Sequence, residues 1–522
     1  MGDVITGLVI AGVVIILFAL YTFLPELLFH VWHIGTLYHG APGPRRVALT
    51  FDDGPDERYT PEVLQILHDL DVKATFFLVA KRAEVHPELV RLIVEGGHDI
   101  GSHSYQHRHH WSRLPFSTWR DIRHGKETLE RLSGRPIRFY RPPWGAFNWF
   151  TRLACTSLGL TPTLWSARAM DWFPGSYAKE EEDRIVRAAH PGAIVLCHDA
   201  GGAEGAPTNT MTALPGAIHR LRQLGFEFAT VSQMAQEWAD HQKQAHQLYH
   251  GYPAPRRALI GLWSVVEFVF ARWFHLQGVN EIFRINRTVW HHGPRYAAEG
   301  EDAAAGAGSA AAAAAGTGSA GSAGSAGPDS AAAGAGSAGA AAGAGVEAVP
   351  GSPARAAAAN AGRTPSLIVR DGAPALELHF RNETLIAISS AADHRALVRG
   401  LRQAKDGLRD IARMLLYHPD YADIEVIAAP TLMNRGIEML GFHVEDLPKT
   451  RENLRLQRYI RFLMGMYHPE GFRRLREGTR ELQMKLVWMT REELAARTGL
   501  ATKAGGADSE PGSAAERAPE RA

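Results

Sequence analysis

The first hydrophobic feature of the chain is an uninterrupted apolar run close to the amino terminus. Residues 4–24 carry no charge, and Asp3 and Glu26 bound the run. About 20 apolar residues in a helix suffice to cross the hydrocarbon core of a bilayer. A cleaved signal peptide would show a basic leader, a shorter apolar stretch and a small-residue cleavage site. None of these is evident, so we predict a transmembrane anchor over residues 1–29 and a connector over 30–44.

The charges that would orient this anchor are few. The nearest basic side chains, Arg45 and Arg46, follow the apolar run. The positive-inside rule would therefore place the rest of the chain in the cytoplasm. The same arginines are also the first residues of the predicted folded region. They can therefore have a role in the fold, so they are a weak signal of membrane orientation.

Short apolar runs then alternate with helix-like stretches over residues 45–245. The apolar runs predict buried strands at residues 47–51, 74–79, 139–141, 163–166, 193–197 and 226–231. The intervening patterns predict helices at residues 61–70, 87–95, 117–132 and 210–224. Repeated strand–helix units indicate a parallel sheet covered by helices. We therefore predict an α/β fold, a distorted (β/α) barrel of about seven strands, with functional side chains at the carboxyl ends of the strands.

The pattern changes after residue 250. Residues 258–270 are apolar, but nearby charges favour a buried or amphipathic helix over a second span. Apolar residues recur every three to four positions from Leu397 to Leu415 and predict an amphipathic helix with a basic opposite face. The simpler interpretation of the basic face is that it is exposed to solvent. Contact with a membrane or an anionic polymer is the alternative. Predicted strands lie at residues 284–290, 367–369, 375–380 and 424–428.

These elements predict a smaller accessory α/β domain formed by residues 252–296 and 363–500. Residues 297–362 repeat Ala, Gly and Ser and cannot bury enough apolar surface to fold. We interpret them as an insertion into the accessory domain, because the strand at 284–290 otherwise lacks a partner. Residues 501–522 are predicted to be a disordered tail.

Composition bears on the partners and the cross-links of the chain. The 522 residues include 56 basic and 55 acidic side chains, a balance that gives no reason to expect a nucleic-acid partner. Only two cysteines are present, Cys155 and Cys197, which excludes a disulfide framework and leaves one bridge as an open alternative.

Carboxylates and histidines in two short motifs are candidate site residues. Asp52 and Asp53 belong to Thr-Phe-Asp-Asp-Gly-Pro at residues 50–55, where an ordinary polar turn is the alternative to a site. His103 and His107, in His-Ser-Tyr-Gln-His, would face one side of a helical turn and could hold one ion. A histidine-rich surface patch is the alternative. With Asp53 as third ligand, positions for water and substrate would stay open.

Two further strand ends carry candidate chemistry. Arg-Pro-Pro-Trp-Gly at residues 141–145 combines a loop fixed by prolines with a glycine that lets the backbone approach a ligand. Leu-Cys-His-Asp at residues 196–199 places His198 at another strand end, and its proximity to the other motifs favours a functional role. Other histidines are not expected to be ligands, namely His98, His109, His110 and His190.

These four motifs, in this order and at these separations, resemble the polysaccharide deacetylase family, also called carbohydrate esterase family 4. The resemblance covers about residues 46–240, under half of the chain. It implies that a divalent metal, usually Zn²⁺, is bound by the three residues Asp53, His103 and His107. It further implies that Asp52 is the general base, tethered by Arg141, and that His198 is the general acid.

The resemblance extends to the substrate groove. Residues 165–172 look like the remaining family motif, in which Asp171 would orient His198 and Trp172 would wall the groove. Arg168 stands where an acidic residue is frequent in the family. Trp144 is a further substrate-binding candidate, and Leu196 would line the pocket for the acetyl methyl group.

The resemblance thus implies a metal-dependent hydrolase that removes acetyl groups from N- or O-acetylated glycans. Peptidoglycan, a chitin-like polymer or an exopolysaccharide is the expected substrate. We expect a single-pass membrane protein with its catalytic domain on the extracytoplasmic side.

Other functions stay open. A deacetylase of a lipid-linked sugar or of a small amide is the alternative among enzymes, and a catalytically silent glycan-binding module is the alternative outside them. Residues 432–442 weakly resemble the end of acyltransferase domains, but we find no glycine-rich pyrophosphate loop. An interaction or targeting module is therefore the preferred interpretation of the accessory domain.

Overall fold

The computed structural model describes residues 2–173, 177–203, 205–250, 252–273, 277–279, 283–296, 367–381, 394–431, 437–467, 473 and 484–500. The chain divides into two compact units, the described parts of residues 1–289 with 374–522 and those of residues 290–373. The predicted insertion at 297–362 and tail at 501–522 lie outside the described residues, as does the first half of the segment at 432–442.

A parallel sheet organises the first part of the chain. Seven strands follow the order β5-β4-β3-β2-β1-β7-β6, and β8 also pairs with β1. The strands are β1 Arg46–Asp52, β2 Thr75–Leu78, β3 Asp99–Ser102, β4 Phe139–Tyr140, β5 Thr161–Pro162, β6 Ala167–Arg168, β7 Ala193–His198 and β8 Glu227–Phe228. The end strands β5 and β6 do not pair with each other in the described part of the chain. This half-barrel confirms the predicted α/β fold class.

Both faces of the sheet are buried. On β1, Leu49 and Phe51 face one hydrophobic cluster, whereas Ala48 faces another. A strand with helices on both sides needs apolar residues in succession, which is why β1 and β7 read as continuous hydrophobic runs. The helices that cover the sheet are α2 Tyr59–Asp69, α3 Ala80–Val85, α4 Pro87–Glu95, α5 Pro115–Ser133, α6 Trp149–Ser157, α7 Ala178–Ala188, α8 Ala206–Gln223 and α9 Val231–His250.

Two sequence predictions about this sheet were wrong. The strand predicted at 163–166 does not form. Instead, the residues before this segment form β5, which pairs with β4, and the residues after it form β6, which pairs with β7. The two short strands lie at opposite ends of the sheet. The strand β3 was missed because its sequence, Asp-Ile-Gly-Ser, contains only one large apolar residue.

The amino-terminal helix α1, Gly2–Pro25, leads into a π-helical segment, Glu26–Val31. Residues 4–31 are long and apolar enough to cross a bilayer, with the length and composition that membrane anchors share with signal sequences. The end of this helical segment packs on the half-barrel. Phe29 is buried with Phe147 and Leu164.

The predicted connector also contributes to the half-barrel. Leu37 forms a parallel bridge with Thr163, and His39 forms an antiparallel bridge with Ala193. The half-barrel therefore extends into residues that precede the predicted boundary at residue 45.

A second, mixed sheet has the order β15-β16-β14-β13-β10-β9. Its strands are β9 Gln277–Gly278, β10 Phe283–Val289, β13 Pro374–Phe380, β14 Val426–Thr431, β15 His443–Asp446 and β16 Lys485–Thr490. The strand that lacked a partner in the sequence, β10, pairs antiparallel with β13. In residues 290–373, β11 Arg295–Tyr296 pairs antiparallel with β12 Leu367–Val369.

Helices accompany the second sheet, namely α10 Ala254–Trp273, α11 His394–Tyr417, α12 Arg451–Tyr467 and α13 Arg491–Thr498. The predicted amphipathic helix is confirmed as α11, which buries Leu408, Ile411 and Leu415. On α10, Ile260 is buried whereas Leu262 is exposed, as the amphipathic interpretation predicted.

A largely buried arginine connects the half-barrel to this second region. Arg45 donates hydrogen bonds to the carbonyl oxygens of Leu224 and Val279, and its Nε lies 3.8 Å from Oδ1 of Asp410 on α11. Burial lowers the pKa of Arg45, and Asp410 opposes that effect. Arg45 thus has a structural role, which further reduces its value as a signal of membrane orientation.

Gly101 on β3 offers a test of the packing beneath the candidate site. A Cβ at this position would lie 2.4 Å from the ring of its strand neighbour Phe77, which is fully buried. We expect Gly101→Ala to destabilise the fold by about 1–3 kcal/mol through overpacking. Gly261→Ala is the matched control, because a Cβ there meets nothing within 4 Å. Denaturant unfolding in detergent measures both, and equal stability of the two variants would contradict the packing.

Candidate active site

A cleft opens where the parallel strands end. The register of β1 and β7 places Asp52 beside His198, and that of β6 and β7 places Arg168 beside Leu196. The cleft has a volume of about 520 Å³, within the range typical of sites for small ligands. Its lining comprises His30, Asp52, Asp53, Arg82, His103, His107, Trp144, Trp165, Arg168, Trp172, Leu196, His198, Gly201 and Gly202.

Three side chains at the base of the cleft converge on one point. Oδ1 of Asp53 lies 2.9 Å from Nε2 of His107 and 3.3 Å from Nε2 of His103. The ligand atoms of all three lie within 4.8 Å of one another. The sequence predicted this set, and the structure brings it together.

The protonation of His103 favours a cation at this point. Nδ1 of His103 lies 2.7 Å from the carbonyl oxygen of Arg141, which can only accept, so Nδ1 carries the proton. Nε2 then presents a lone pair toward Asp53, whose Oδ1 is buried without a hydrogen-bond donor. A divalent cation between these atoms would satisfy them, and one carboxylate with two imidazoles is a typical donor set for such an ion.

The charge state of Asp53 agrees with this interpretation. Burial raises the pKa of Asp53, but hydrogen bonds and positive charge from His103 and His107 in their protonated form outweigh burial and bring the pKa below its ordinary value. A divalent cation would replace that positive charge and keep the carboxylate ionised. A Cβ on Gly201 would lie 2.8 Å from Oδ2 of Asp53, so only glycine leaves this carboxylate its space.

The predicted helical turn at these histidines was wrong. Residues 103–109 form an irregular loop, in which Ser104 and His107 have left-handed backbones with φ of 72° and 52°. Asp53 also has a positive φ, 73°. The imidazoles therefore converge through loop geometry and not through helical periodicity.

A buried ion pair lies beside the three converging side chains. Nη1 of Arg141 donates to Oδ1 of Asp52 at 2.6 Å and to Thr50 at 2.7 Å, and Nη2 donates to the carbonyl of Leu164. Burial lowers the pKa of the Arg141 guanidinium, and Asp52 opposes this effect. With Oδ1 engaged, Oδ2 of Asp52 faces the site, 3.9 Å from Nε2 of His103.

His198 forms the opposite side of the cleft. Its Nδ1 lies 2.8 Å from Oδ1 of Asp171, and its backbone N–H donates to Oδ2 of the same carboxylate at 2.7 Å. Burial lowers the pKa of His198, but the charge and hydrogen bond of Asp171, together with the charges of Asp52 and Asp53, outweigh burial and raise it to about 9. His198 is therefore protonated at neutral pH, with Nε2 free to donate into the cleft.

The predicted substrate-binding residues also line the cleft. Trp144 is 58% exposed, with its ring 4.5 Å from that of His107. Its φ of 56° is unusual for a bulky residue, and such strain clusters at functional sites. Trp172 lies edge-on to His198, and Leu196 is buried at the base.

Sequence reasoning missed several residues of the cleft wall. Trp165 and Arg168 line the cleft and belong to the motif at residues 165–172, although neither was predicted to line the site. Arg82 donates to the carbonyl oxygen of Asp53 at 2.9 Å. His30 comes from the predicted connector, where no local pattern marks it. By contrast, His110 is fully buried and bonded to Thr151 and Tyr140, away from the converging side chains.

Comparison with known proteins identifies similarity in both parts of the chain. The family model described as "Polysaccharide deacetylase" matches residues 39–163, and the model described as "YkoP domain" matches residues 366–498.

Individual relatives match the region around the cleft. A peptidoglycan-N-acetylglucosamine deacetylase of Bacillus cereus is 35% identical over 191 residues, which cover 36% of this chain and 87% of the relative. The chitooligosaccharide deacetylase of Azorhizobium caulinodans is 31% identical and covers 34% of this chain and 90% of its own length. The peptidoglycan-N-acetylmuramic acid deacetylase PdaA of Bacillus subtilis is 29% identical, with coverage of 38% and 74%.

Removal of the Asp53 carboxylate tests the metal site directly. We expect Asp53→Ala to weaken Zn²⁺ binding by tenfold or more, since one of three ligands is lost. Asp69→Ala, an exposed carboxylate on α2, is the matched control. Titration calorimetry of the metal-free protein measures both affinities, and unchanged affinity in Asp53→Ala would exclude this residue as a ligand.

Proposed function

Because the chain belongs to the polysaccharide deacetylase family, we propose that it is a metal-dependent hydrolase that removes acetyl groups from a glycan containing N-acetylglucosamine. One observation carries the proposal. The Asp53, His103 and His107 set lies in one cleft with a carboxylate held by Arg141 on one side and a protonated His198 on the other. The relatives named as peptidoglycan-N-acetylglucosamine and chitooligosaccharide deacetylases support the substrate class.

A metal bound at the base of the cleft would supply two effects. Bound by Asp53, His103 and His107, a divalent cation, for which we propose Zn²⁺, would polarise the acetyl carbonyl and acidify a water molecule. The Arg141 carbonyl holds His103 in the tautomer that this requires.

Asp52 is proposed as the general base. Arg141 fixes its Oδ1, so that Oδ2 points toward the space beside His103. From there Oδ2 can accept a proton from the attacking water as its oxygen bonds to the acetyl carbon. The rigid anchorage matters because proton transfer requires the carboxylate to be in place before the substrate arrives.

His198 is proposed as the general acid. Its Nδ1 proton is engaged by Asp171, so the proton on Nε2 is the one available to the leaving nitrogen. When the carbon–nitrogen bond breaks, that proton completes the free amine and acetate is the second product. Trp144 and Trp172 provide aromatic walls for sugar rings, and Leu196 provides an apolar surface for the acetyl methyl group.

We further propose that α1 is a retained membrane anchor. The support is that residues after the apolar run belong to the fold of the half-barrel, as Phe29 and Leu37 do. The predicted extracytoplasmic location fits a cell-wall glycan. For the accessory domain at 252–296 and 363–500 we keep the proposal of an interaction or targeting role.

Acetate release by the purified chain tests the function. N-acetylglucosamine oligomers, peptidoglycan and acetylated xylan are incubated with and without a chelator. We expect chelator-sensitive release, greatest from the N-acetylglucosamine polymers. No release from any substrate by folded, metal-loaded protein would contradict the proposed activity and favour a glycan-binding role.

The base assignment predicts a separation of metal binding from turnover. We expect Asp52→Asn to keep its metal and to lose about 10²- to 10⁴-fold in kcat, because the amide cannot accept the proton of the water. Asp69→Asn serves as the control. Full turnover by Asp52→Asn would exclude Asp52 as the base.

The acid assignment predicts the pH profile. The acid must be protonated, so kcat/KM should fall as the pH rises through about 9, the raised pKa of His198. Asp171→Asn removes the largest contribution that raises the pKa of His198, so we expect this alkaline limb to move toward lower pH. Measurements of kcat/KM from pH 5 to 10 for the unsubstituted protein and for Asp171→Asn would reveal this shift. A limb that stays in place would show that Asp171 does not set the pKa of His198.

A further inference from the structure

The end of the amino-terminal helical segment forms part of the cleft. Glu26 accepts a hydrogen bond from the backbone N–H of Phe147 at 2.9 Å and pairs with His30 at 2.6 Å. His30 lines the cleft and lies edge-on to Trp165, with ring centroids 5.9 Å apart. The helical segment that would leave the bilayer therefore contributes a wall residue to the site.

The surface of the half-barrel around this segment is unusually apolar. Leu114 and Phe116 at the start of α5 are 76% and 82% exposed, and Leu153 on α6 is 58% exposed. We call these three residues, with Trp149, the apolar patch. It adjoins α1 directly, because Tyr21 donates to the carbonyl of Arg113 and the indole of Trp149 donates to the carbonyl of Leu20.

The occupant of the apolar patch follows from this continuity. Leu20 and Tyr21 lie within the apolar run that is long enough to span a bilayer. The apolar patch contacts these residues, and it would therefore lie at the same membrane interface. Exposed Trp, Phe and Leu side chains are stabilised at that interface. A bilayer accounts for both α1 and the patch.

The cleft edge next to His30 carries a positive charge. The guanidinium of Arg168 is exposed, lines the cleft and lies 5.4 Å from the centre of the Trp165 ring. No carboxylate of the described residues forms an ion pair with it. By contrast, Arg82 is engaged with the Asp53 carbonyl. Arg168 is thus available for an anionic group of a ligand.

The height of this edge above the membrane can be estimated. His30 follows Leu24, the last residue of the uncharged run, by six positions, which is at most about 9 Å at α-helical rise and less along the π-helical residues 26–31. The headgroup region extends about 5–8 Å beyond the hydrocarbon core, so His30 would lie close to the level of the lipid phosphates.

We infer that the cleft acts at the membrane surface on an acetylated glycan that is joined through phosphate to a lipid, with Arg168 binding the phosphate. The inference rests on the proposed deacetylase function and specifies its substrate class. His30 and Trp165 connect the anchor to the phosphate site, and the metal-binding residues lie farther into the same cleft, where the sugar is placed.

Kinetics on three probes test the substrate class. The full chain in lipid nanodiscs is given an N-acetylglucosamine disaccharide linked by diphosphate to a polyprenyl chain, the same disaccharide diphosphate without lipid, and a neutral N-acetylglucosamine oligomer. We expect the highest kcat/KM with the lipid-linked probe. Equal turnover of the lipid-linked and lipid-free diphosphates would overturn the inference, since the cleft would then recognise the anion without the membrane.

Substitution of Arg168 tests the charge. We expect Arg168→Gln to lower the ratio of kcat/KM for the lipid-linked probe to that for the neutral oligomer on the order of tenfold. Arg168→Lys should restore part of the ratio, and Arg91→Gln on exposed α4 surface should leave it unchanged. A ratio unaffected by Arg168→Gln would overturn the inference, as would the same Arg168 dependence on a soluble acidic oligosaccharide without any preference for the lipid.

Binding separates the inference from the proposed function. Calorimetric affinity for the lipid-linked probe does not require turnover. Arg168-dependent binding without acetate release would support the lipid-linked ligand and contradict the activity. Acetate release from soluble polymers without preference for the lipid-linked probe would support the activity and overturn the inference.

The depth of the apolar patch is measurable in the same nanodiscs. A spin label is placed at Phe116→Cys, which is selective because Cys155 and Cys197 are buried. We expect high accessibility to oxygen and low accessibility to a polar nickel complex. The label at Asp69→Cys, on the part of α2 farthest from the strand ends, should show the reverse. A water-exposed label at position 116 would overturn the membrane seating of the cleft.

Discussion

The candidate site depends on one buried guanidinium. Arg141 is fully buried, and its hydrogen bonds connect Asp52 at the end of β1, Thr50 within β1 and the carbonyl of Leu164 beyond β5. Its own carbonyl fixes the tautomer of His103. Loss of one partner of such a pair leaves an uncompensated buried charge, which costs about 3–5 kcal/mol. Asp52, the proposed base, and His103, a proposed metal ligand, are therefore positioned by the same residue, one through its side chain and the other through its backbone carbonyl.

The parallel sheet allows one residue to contact groups that follow several different strands. Strands that run in one direction deliver their following loops to one edge, so residues distant in sequence meet there. Asp52 and His198 are direct neighbours in the β1–β7 register, and His103 and Arg141 follow β3 and β4. The left-handed backbones at Asp53, His107 and Trp144 then aim their side chains into the cleft. The sheet determines where the loops begin, and loop conformation determines which atoms converge.

The separate roles of strands and loops explain which features were predictable from the sequence. The strands β1 and β7 are continuous apolar runs because both faces are buried, and the motifs that follow them are compact enough to be recognised. The short strands β3, β5 and β6 are stabilised by neighbours and not by their own composition, so no local pattern revealed them. The convergence of His103 and His107 was predicted for the wrong reason, since helical periodicity does not apply to their loop. His30 was unpredictable because it reaches the cleft only through the packing of Phe29 and Glu26 on the half-barrel.

The apolar helix α1 and the cleft are consequently parts of one structure. Val4, Leu8 and Ile15 on α1 are each more than half exposed, and leaving such side chains in water forgoes about 1.5–3 kcal/mol apiece relative to an apolar environment. A bilayer around α1 would remove that penalty and would set the level at which Glu26 and His30 emerge. Because these two residues contact Phe147 and Trp165, the bilayer would also set the level of the cleft wall. A half-barrel that is attached in this way, and not through a long flexible stalk, would reach substrates close to the membrane surface.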